Sequence, residues 1–154
     1  MSLIYVERPS DSPYIETITT GQMVGNGSTI RPAEVHWHLV IVNYRGHTQP
    51  IITGPLTTSG VVTFTAGAEI LWIKFKLGTF MPHLPMRKTL DAETHLPTAT
   101  NQSFWLQGSA WQFPDYDNVE TFIARLVRDE VLVCDPVVTA ALNDQPPAIP
   151  ARTR

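Results

Sequence analysis

The stretch from Asp117 to Leu142, DNVETFIARLVRDEVLVCDPVVTAAL, is the only long segment with a helical period, and it limits the folds open to this chain. Val119, Phe122, Ile123, Leu126 and Val127 fall at the i, i+3, i+4, i+7 spacing of a helix with one buried face. Asp117 is placed to cap its start, and Glu120 three residues on completes a capping-box pattern. Asp135-Pro136 reads as a second N-cap, with proline at the first helical position where its missing N–H costs nothing. Pro146 and Pro147 stop that second helix from continuing. The expectation is a helix, a short turn and a shorter helix.

Almost everything before Asp117 reads as strand and turn. Leu3 to Glu7 fits a short edge strand, and Tyr14 to Val24 a longer one. Gly25-Asn26-Gly27-Ser28 has hairpin-turn chemistry. Glu34 to Tyr44, EVHWHLVIVNY, is the strongest strand; it is apolar on both faces from Leu39 to Val42, so a central place covered on both sides is expected. Arg45-Gly46 turns the chain into Gln49 to Thr53, and Gly60 to Thr65 is the next strand. In Glu69 to Lys76, Leu71, Ile73 and Phe75 face one way, and Ile70, Trp72, Lys74 and Lys76 the other. Gly78 to Leu90 is broken by Pro82 and Pro85. Asp91 to Asn101 has no clear period. Ser103 to Phe113 reads as one more strand. The fold class expected is α+β: an antiparallel β-barrel-like or sandwich body, cupin-like, followed by a C-terminal helical hairpin. Residues 1–113 form the β-rich body, 114–145 the helices packed on it in the same domain, and 146–154 a tail.

The balance of charges excludes some functions. Lys plus Arg number 11 against 14 Asp plus Glu, a net charge of −3. Nucleic-acid binding by this chain alone is disfavoured, because neutralising phosphates needs a basic face. The one cysteine, Cys134, has no intramolecular disulfide partner, and MSLIYVERPS lacks the basic region and apolar core of a signal peptide. Both point to the cytoplasm. No segment approaches the apolar length of a membrane helix.

Few residues advertise chemistry. His36 and His38 flank Trp37 on a strand, and a two-residue spacing puts both imidazoles on one face. They are weak candidates for a metal pair, because no carboxylate follows them closely and nothing ties His47, His83 or His95 to them. Polar residues at a strand end are the plainer interpretation. Trp37, Trp72, Trp105 and Trp111 are either pocket aromatics or core packing, the latter for at least two of them. Lys74 and Lys76 either meet an anion or snorkel to the surface. A ligand site drawn from His36, Trp37, His38, Tyr44, Trp72 and Lys74 is the candidate. There is no nucleophile elbow, no phosphate-binding glycine loop and no paired carboxylates. The chain is expected not to be an enzyme and to need no cofactor.

The order of segments resembles the N-terminal sensor region of AraC-type bacterial transcription regulators. EVHWHLVIV is followed by a turn and by Ile51-Ile52-Thr53-Gly54-Pro55-Leu56. Then come Ile73-Lys74-Phe75-Lys76-Leu77-Gly78, the loop Met81-Pro82-His83-Leu84-Pro85 before Leu90-Asp91, and the connecting helices with Leu126, Asp135-Pro136-Val137 and Ala140-Ala141-Leu142. The likeness runs from Tyr14 to Arg154. Leu77 stands where the family usually has proline, and His36 and His38 where many relatives carry acidic or small residues. The resemblance implies an effector-sensing and dimerisation domain that binds a small molecule in the β-body and relays the event through Asp117 to Leu142. It further implies a homodimer, and DNA contact only through a helix-turn-helix domain not contained in this sequence. The alternatives are a cupin-like metal-binding enzyme using His36 and His38, and a ligand-free structural dimerisation module.

Overall fold

The computed structural model describes residues 3–142. Residues 143–145 of the expected helical region and the tail 146–154 lie outside them. The chain opens with β1 (Leu3–Pro9), β2 (Ile15–Met23) and β3 (Gly27–Arg31), then β4 (His38–Tyr44), β5 (His47–Thr53), β6 (Gly60–Phe64) and β7 (Glu69–Phe75). The short pieces β8 (Thr79–Phe80), α1 (Met86–Thr89), β9 (Glu93–His95) and β10 (Thr98–Thr100) lead to β11 (Ser103–Leu106) and β12 (Ser109–Gln112). Last come α2 (Val119–Arg128), β13 (Val133–Cys134) and α3 (Pro136–Leu142).

The main sheet has six strands in the order β1-β2-β7-β4-β5-β9, all antiparallel. β4 is central, as its two apolar faces require. β3 and β6 pair with each other as a separate ribbon. The fold is thus an antiparallel β-body with C-terminal helices, in the α+β class. Among the described residues no ladder joins β1 to β9, so the six-stranded sheet is open at both edges.

Period-two alternation sends the side chains of this sheet to two different environments. Ile18, Leu39, Ile41, Ile52, Leu71, Ile73 and Phe75 enter the large core with Val119, Phe122, Ile123 and Leu126 of α2. Their neighbours Val42, Ile70 and Trp72 belong to a second, smaller cluster with Met23 and Ala68. Leu126 and Ile123 are fully buried, which places the apolar stripe of α2 where its spacing puts it.

Two turns fix registers. Arg45 and Gly46 both have positive φ (53° and 80°). That is the type I′ geometry that matches strand twist, and it pairs Tyr44 with His47. Gln107 and Gly108 repeat it at 49° and 76°. Ser103 to Phe113 is therefore a hairpin of β11 and β12 rather than one strand. Gly25-Asn26-Gly27-Ser28 closes no hairpin, because β2 pairs with β1 and β7 while β3 leaves for the ribbon. Asn26 Oδ1 instead accepts the Ala66 N–H at 2.7 Å.

The start of α2 also differs from expectation. Asn118 is the N-cap and makes no side-chain capping bond. Asp115 Oδ1 accepts the N–H groups of Asp117 and Asn118, both at 2.9 Å. Glu120 turns away to β1: Arg8 Nη1 and Nη2 donate to its two oxygens at 2.6 and 2.9 Å, and the Ser10 hydroxyl donates at 2.8 Å. Arg8 also donates to the Tyr116 carbonyl and lies 4.9 Å from the centre of the Tyr116 ring. The Arg8 hydrogen bonds hold the Glu120 carboxyl down to about 2, and the same pairing raises the guanidinium. Between α2 and α3 the chain is not a bare turn. β13 pairs with β8, and the Asp135 N–H donates to the Gly78 carbonyl at 2.8 Å. Cys134, on β13 between the helices, is half-buried. No helix among the described residues is long and apolar enough to cross a membrane.

Candidate functional site

The ribbon lies over the sheet face opposite α2 and leaves a cavity of about 450 Å³ between them. β4 contributes Val40, Val42 and Tyr44; β5 contributes Ile51 and Thr53; β7 contributes Ile70 and Trp72. The ribbon supplies Thr29, Arg31, Val61, Val62 and Thr63, and Glu93 of β9 stands at the wall. These residues converge because they alternate with the core set: Val40 and Val42 beside Leu39 and Ile41, Ile70 and Trp72 beside Leu71 and Ile73. A second cleft, about 540 Å³, adjoins the cavity and shares Thr29 and Trp72 with it. Leu3, Tyr5 and Glu7 of β1, Thr17 and Thr19 of β2, and Glu34, His38 and Lys74 complete its lining.

A chain of polar contacts runs along this boundary. Trp72 Nε1 donates to His38 Nδ1 at 2.7 Å. The acceptor role leaves Nδ1 unprotonated, so the proton of the neutral ring sits on Nε2. Nε2 lies 3.1 Å from Glu34 Oε2. The same Glu34 oxygen accepts from Arg31 Nη2 at 3.2 Å. Arg31 is the last residue of β3, so the chain ties the ribbon to the floor of the sheet.

The electrostatics follow from burial and pairing. The His38 side chain is 1% exposed, and burial pushes its pKa down to about 4 against the opposing pull of Glu34. The claim of the Trp72 N–H on Nδ1 acts in the same direction as burial, because protonation would break that bond. Burial works to raise the Glu34 carboxyl, but His38 and Arg31 outweigh it and keep it below the ordinary carboxylate range. Thr53 Oγ1, on the cavity wall, is buried and has no hydrogen-bond partner among the described residues. A buried hydroxyl left unpaired costs about 1–3 kcal/mol, which a ligand group in reach would recover.

Of the six residues proposed from sequence, the structure brings four to this face. Tyr44 and Trp72 line the cavity, and His38, Lys74 and Trp72 line the cleft. Trp37 is 4% exposed and packs into the core on the opposite side, as a strand neighbour of His38 must. β4 begins at His38, and His36 precedes it with Nδ1 2.8 Å from the Phe75 carbonyl. The two imidazoles therefore do not form the strand pair that their spacing suggested. His95 pairs with Glu93 at 3.4 Å, and His83 is half-buried with its pKa lowered by burial. No group of three or more His, Cys, Asp or Glu side chains able to hold a metal occurs among the described residues. Of the other tryptophans, Trp111 packs edge-on against Phe122 and Trp105 is exposed.

Sequence reasoning missed Arg31, Glu34, Thr53 and the ribbon residues. Alternation in GSTIR and GVVTF marks Thr29, Arg31 and Val62 as one face of a two-stranded unit, but the sheet over which that unit lies is a tertiary fact. Comparison of the chain with family models, with curated proteins and with solved structures finds no match.

Proposed function

We propose that this chain is the effector-sensing and dimerisation domain of an AraC-type transcription regulator, with a small molecule bound between the ribbon and the main sheet. The observation that carries this reading is the two-sided use of β4 and β7. One face lines a cavity of about 450 Å³, within the range of small-molecule sites. The other face enters the same core as the apolar stripe of α2. A ligand that shifts Val40, Val42 or Trp72 acts on strands whose alternate residues, Leu39, Ile41, Leu71 and Ile73, share one core with Phe122, Ile123 and Leu126. The segment order that resembles the AraC-type sensor region supplies the biological role. In that family the helices lead to a helix-turn-helix pair, where DNA contact is made, and the regulator works as a cytoplasmic homodimer without catalysis.

Thermal denaturation against a broad metabolite panel tests the reading, since a ligand that binds the native state raises Tm by mass action. A binder is expected to raise Tm in the wild type and to lose that effect in Val42→Trp, which fills the cavity. Failure of every compound to shift Tm, with a monomer by sedimentation at all concentrations, overturns it.

A further inference from the structure

The chemistry of the cavity wall narrows the ligand, given the reading of the cavity as a ligand site. Most of the wall is apolar: Met23, Val40, Val42, Ile51, Ile70 and the Trp72 ring. Its cation, Arg31, is already matched. Arg31 spends an N–H on Glu34, and the Glu34 oxygen that receives it also faces His38. His38 is held as the neutral tautomer by the Trp72 N–H. Glu93 stands on the same wall, more than half exposed, with His95 Nε2 at 3.4 Å from its carboxylate. An anionic ligand would have to draw Arg31 from Glu34 and sit beside two carboxylates. A cationic ligand would face the Arg31 guanidinium and compete with it for Glu34. An uncharged ligand leaves the pairing intact. One position on the wall lacks a hydrogen-bond partner, the buried Thr53 hydroxyl, unpaired among the described residues, and Arg31 carries N–H donors beyond the one that Glu34 receives.

We infer that the cavity takes an uncharged, mostly apolar small molecule bearing a carbonyl or hydroxyl group, with that group directed to the Arg31–Thr53 end and its apolar part against Trp72.

Three probes of matched size separate this from its rivals: 4-phenyl-2-butanone, 3-phenylpropanoate and 3-phenylpropylammonium. Each is titrated into the full chain by calorimetry at neutral pH. The ketone is expected to bind about tenfold or more tightly than either charged probe. Thr53→Val, which removes the hydroxyl without emptying the site, should weaken the ketone several-fold, and Val42→Trp should abolish its binding. Circular dichroism and Tm establish that both variants are folded; if Val42→Trp is not, Thr53→Val alone decides. Tighter binding of the propanoate or the ammonium overturns the uncharged class while leaving the sensor reading intact. Ketone affinity unchanged in both folded variants places binding elsewhere and overturns the inference. So does the absence of binding by all three probes up to about 1 mM, whereas the sensor reading then stands or falls on the metabolite panel.

Discussion

The two faces of the six-stranded sheet are built from the same strands and differ in what covers them. On one side the sheet shares a core with the stripe of a regular amphipathic helix, and Ile18, Leu39, Ile52, Ile73 and Phe75 are fully buried. On the other a two-stranded ribbon spans the sheet without filling the space, and the polar chain Arg31–Glu34–His38–Trp72 bridges it. A helix laid on a sheet offers a continuous apolar surface. A ribbon buries only alternate residues and turns the rest outward; Ile30 is 70% exposed. The first face holds the fold together, and the second leaves room for something else.

Truncation should separate the faces most clearly. Leu126→Ala or Ile73→Ala removes a fully buried side chain from the helix-covered face and should cost about 2–5 kcal/mol in chemical denaturation. A loss close to zero at both would mean that this face is not the core.

Acid should strike the ribbon-covered face first. His38 has a folded-state value of about 4 against an ordinary 6.5, so the unfolded chain binds the proton more readily. Stability is full above about pH 6.5 and falls as the pH drops toward 4, by on the order of 2 kcal/mol for a shift of this kind after discounting. His38→Gln should flatten that part of the stability profile. An unchanged profile would assign the loss to other groups.

The Arg8–Glu120 pair joins the edge strand to α2 and gives a smaller effect at lower pH. Its contribution is present above about pH 4.5 and is lost as the pH falls through about 2, where Glu120 protonates. Both side chains are nearly a third exposed. Solvent screening therefore limits the cost of Glu120→Gln at neutral pH to about 1 kcal/mol. A double-mutant cycle with Arg8→Gln measures the coupling; an additive cycle would show that the pair contributes nothing.

The smallest change is expected at the cavity. Val40→Ala enlarges a space that already exists and should cost less than about 1 kcal/mol, below the usual range for filled cores. A cost equal to that of Leu126→Ala would mean the two faces are equally packed.

The helix-covered face was the legible one. The 3.6-residue period of Val119 to Leu126 and the two-residue period of Glu69 to Phe75 are local properties, and each named the residues that meet in the core. The type I′ turn at Arg45-Gly46 was visible as well. Gln107-Gly108 was not, because glutamine gives no turn signal and the aromatic run around it reads as strand. Glu120 shows another limit. Its spacing from Asp117 suits a capping box, but the Arg8 guanidinium, far away in sequence, offers two hydrogen bonds where the cap would use one. The site was half legible. Tyr44, Trp72, His38 and Lys74 follow from alternation, and so should the exclusion of Trp37, which lies between two histidines assigned to the opposite face. Arg31 and Thr53 become site residues only when the ribbon crosses the sheet.

The place of β7 between β2 and β4 has a consequence for how the chain reaches this state. The β4–β5 and β11–β12 hairpins close over two-residue loops, events of microseconds. The β2–β7 ladder joins Ile15 to Phe75 and Gln22 to Glu69, with β3 through β6 in the loop that it closes. That closure loses chain entropy before the ladder can compensate for it. Folding therefore waits on a non-local pairing and belongs to the slower, millisecond-to-second regime of sheet-rich domains. During that interval the apolar faces of β4 and β7 stand uncovered together, so dilute conditions favour refolding over aggregation.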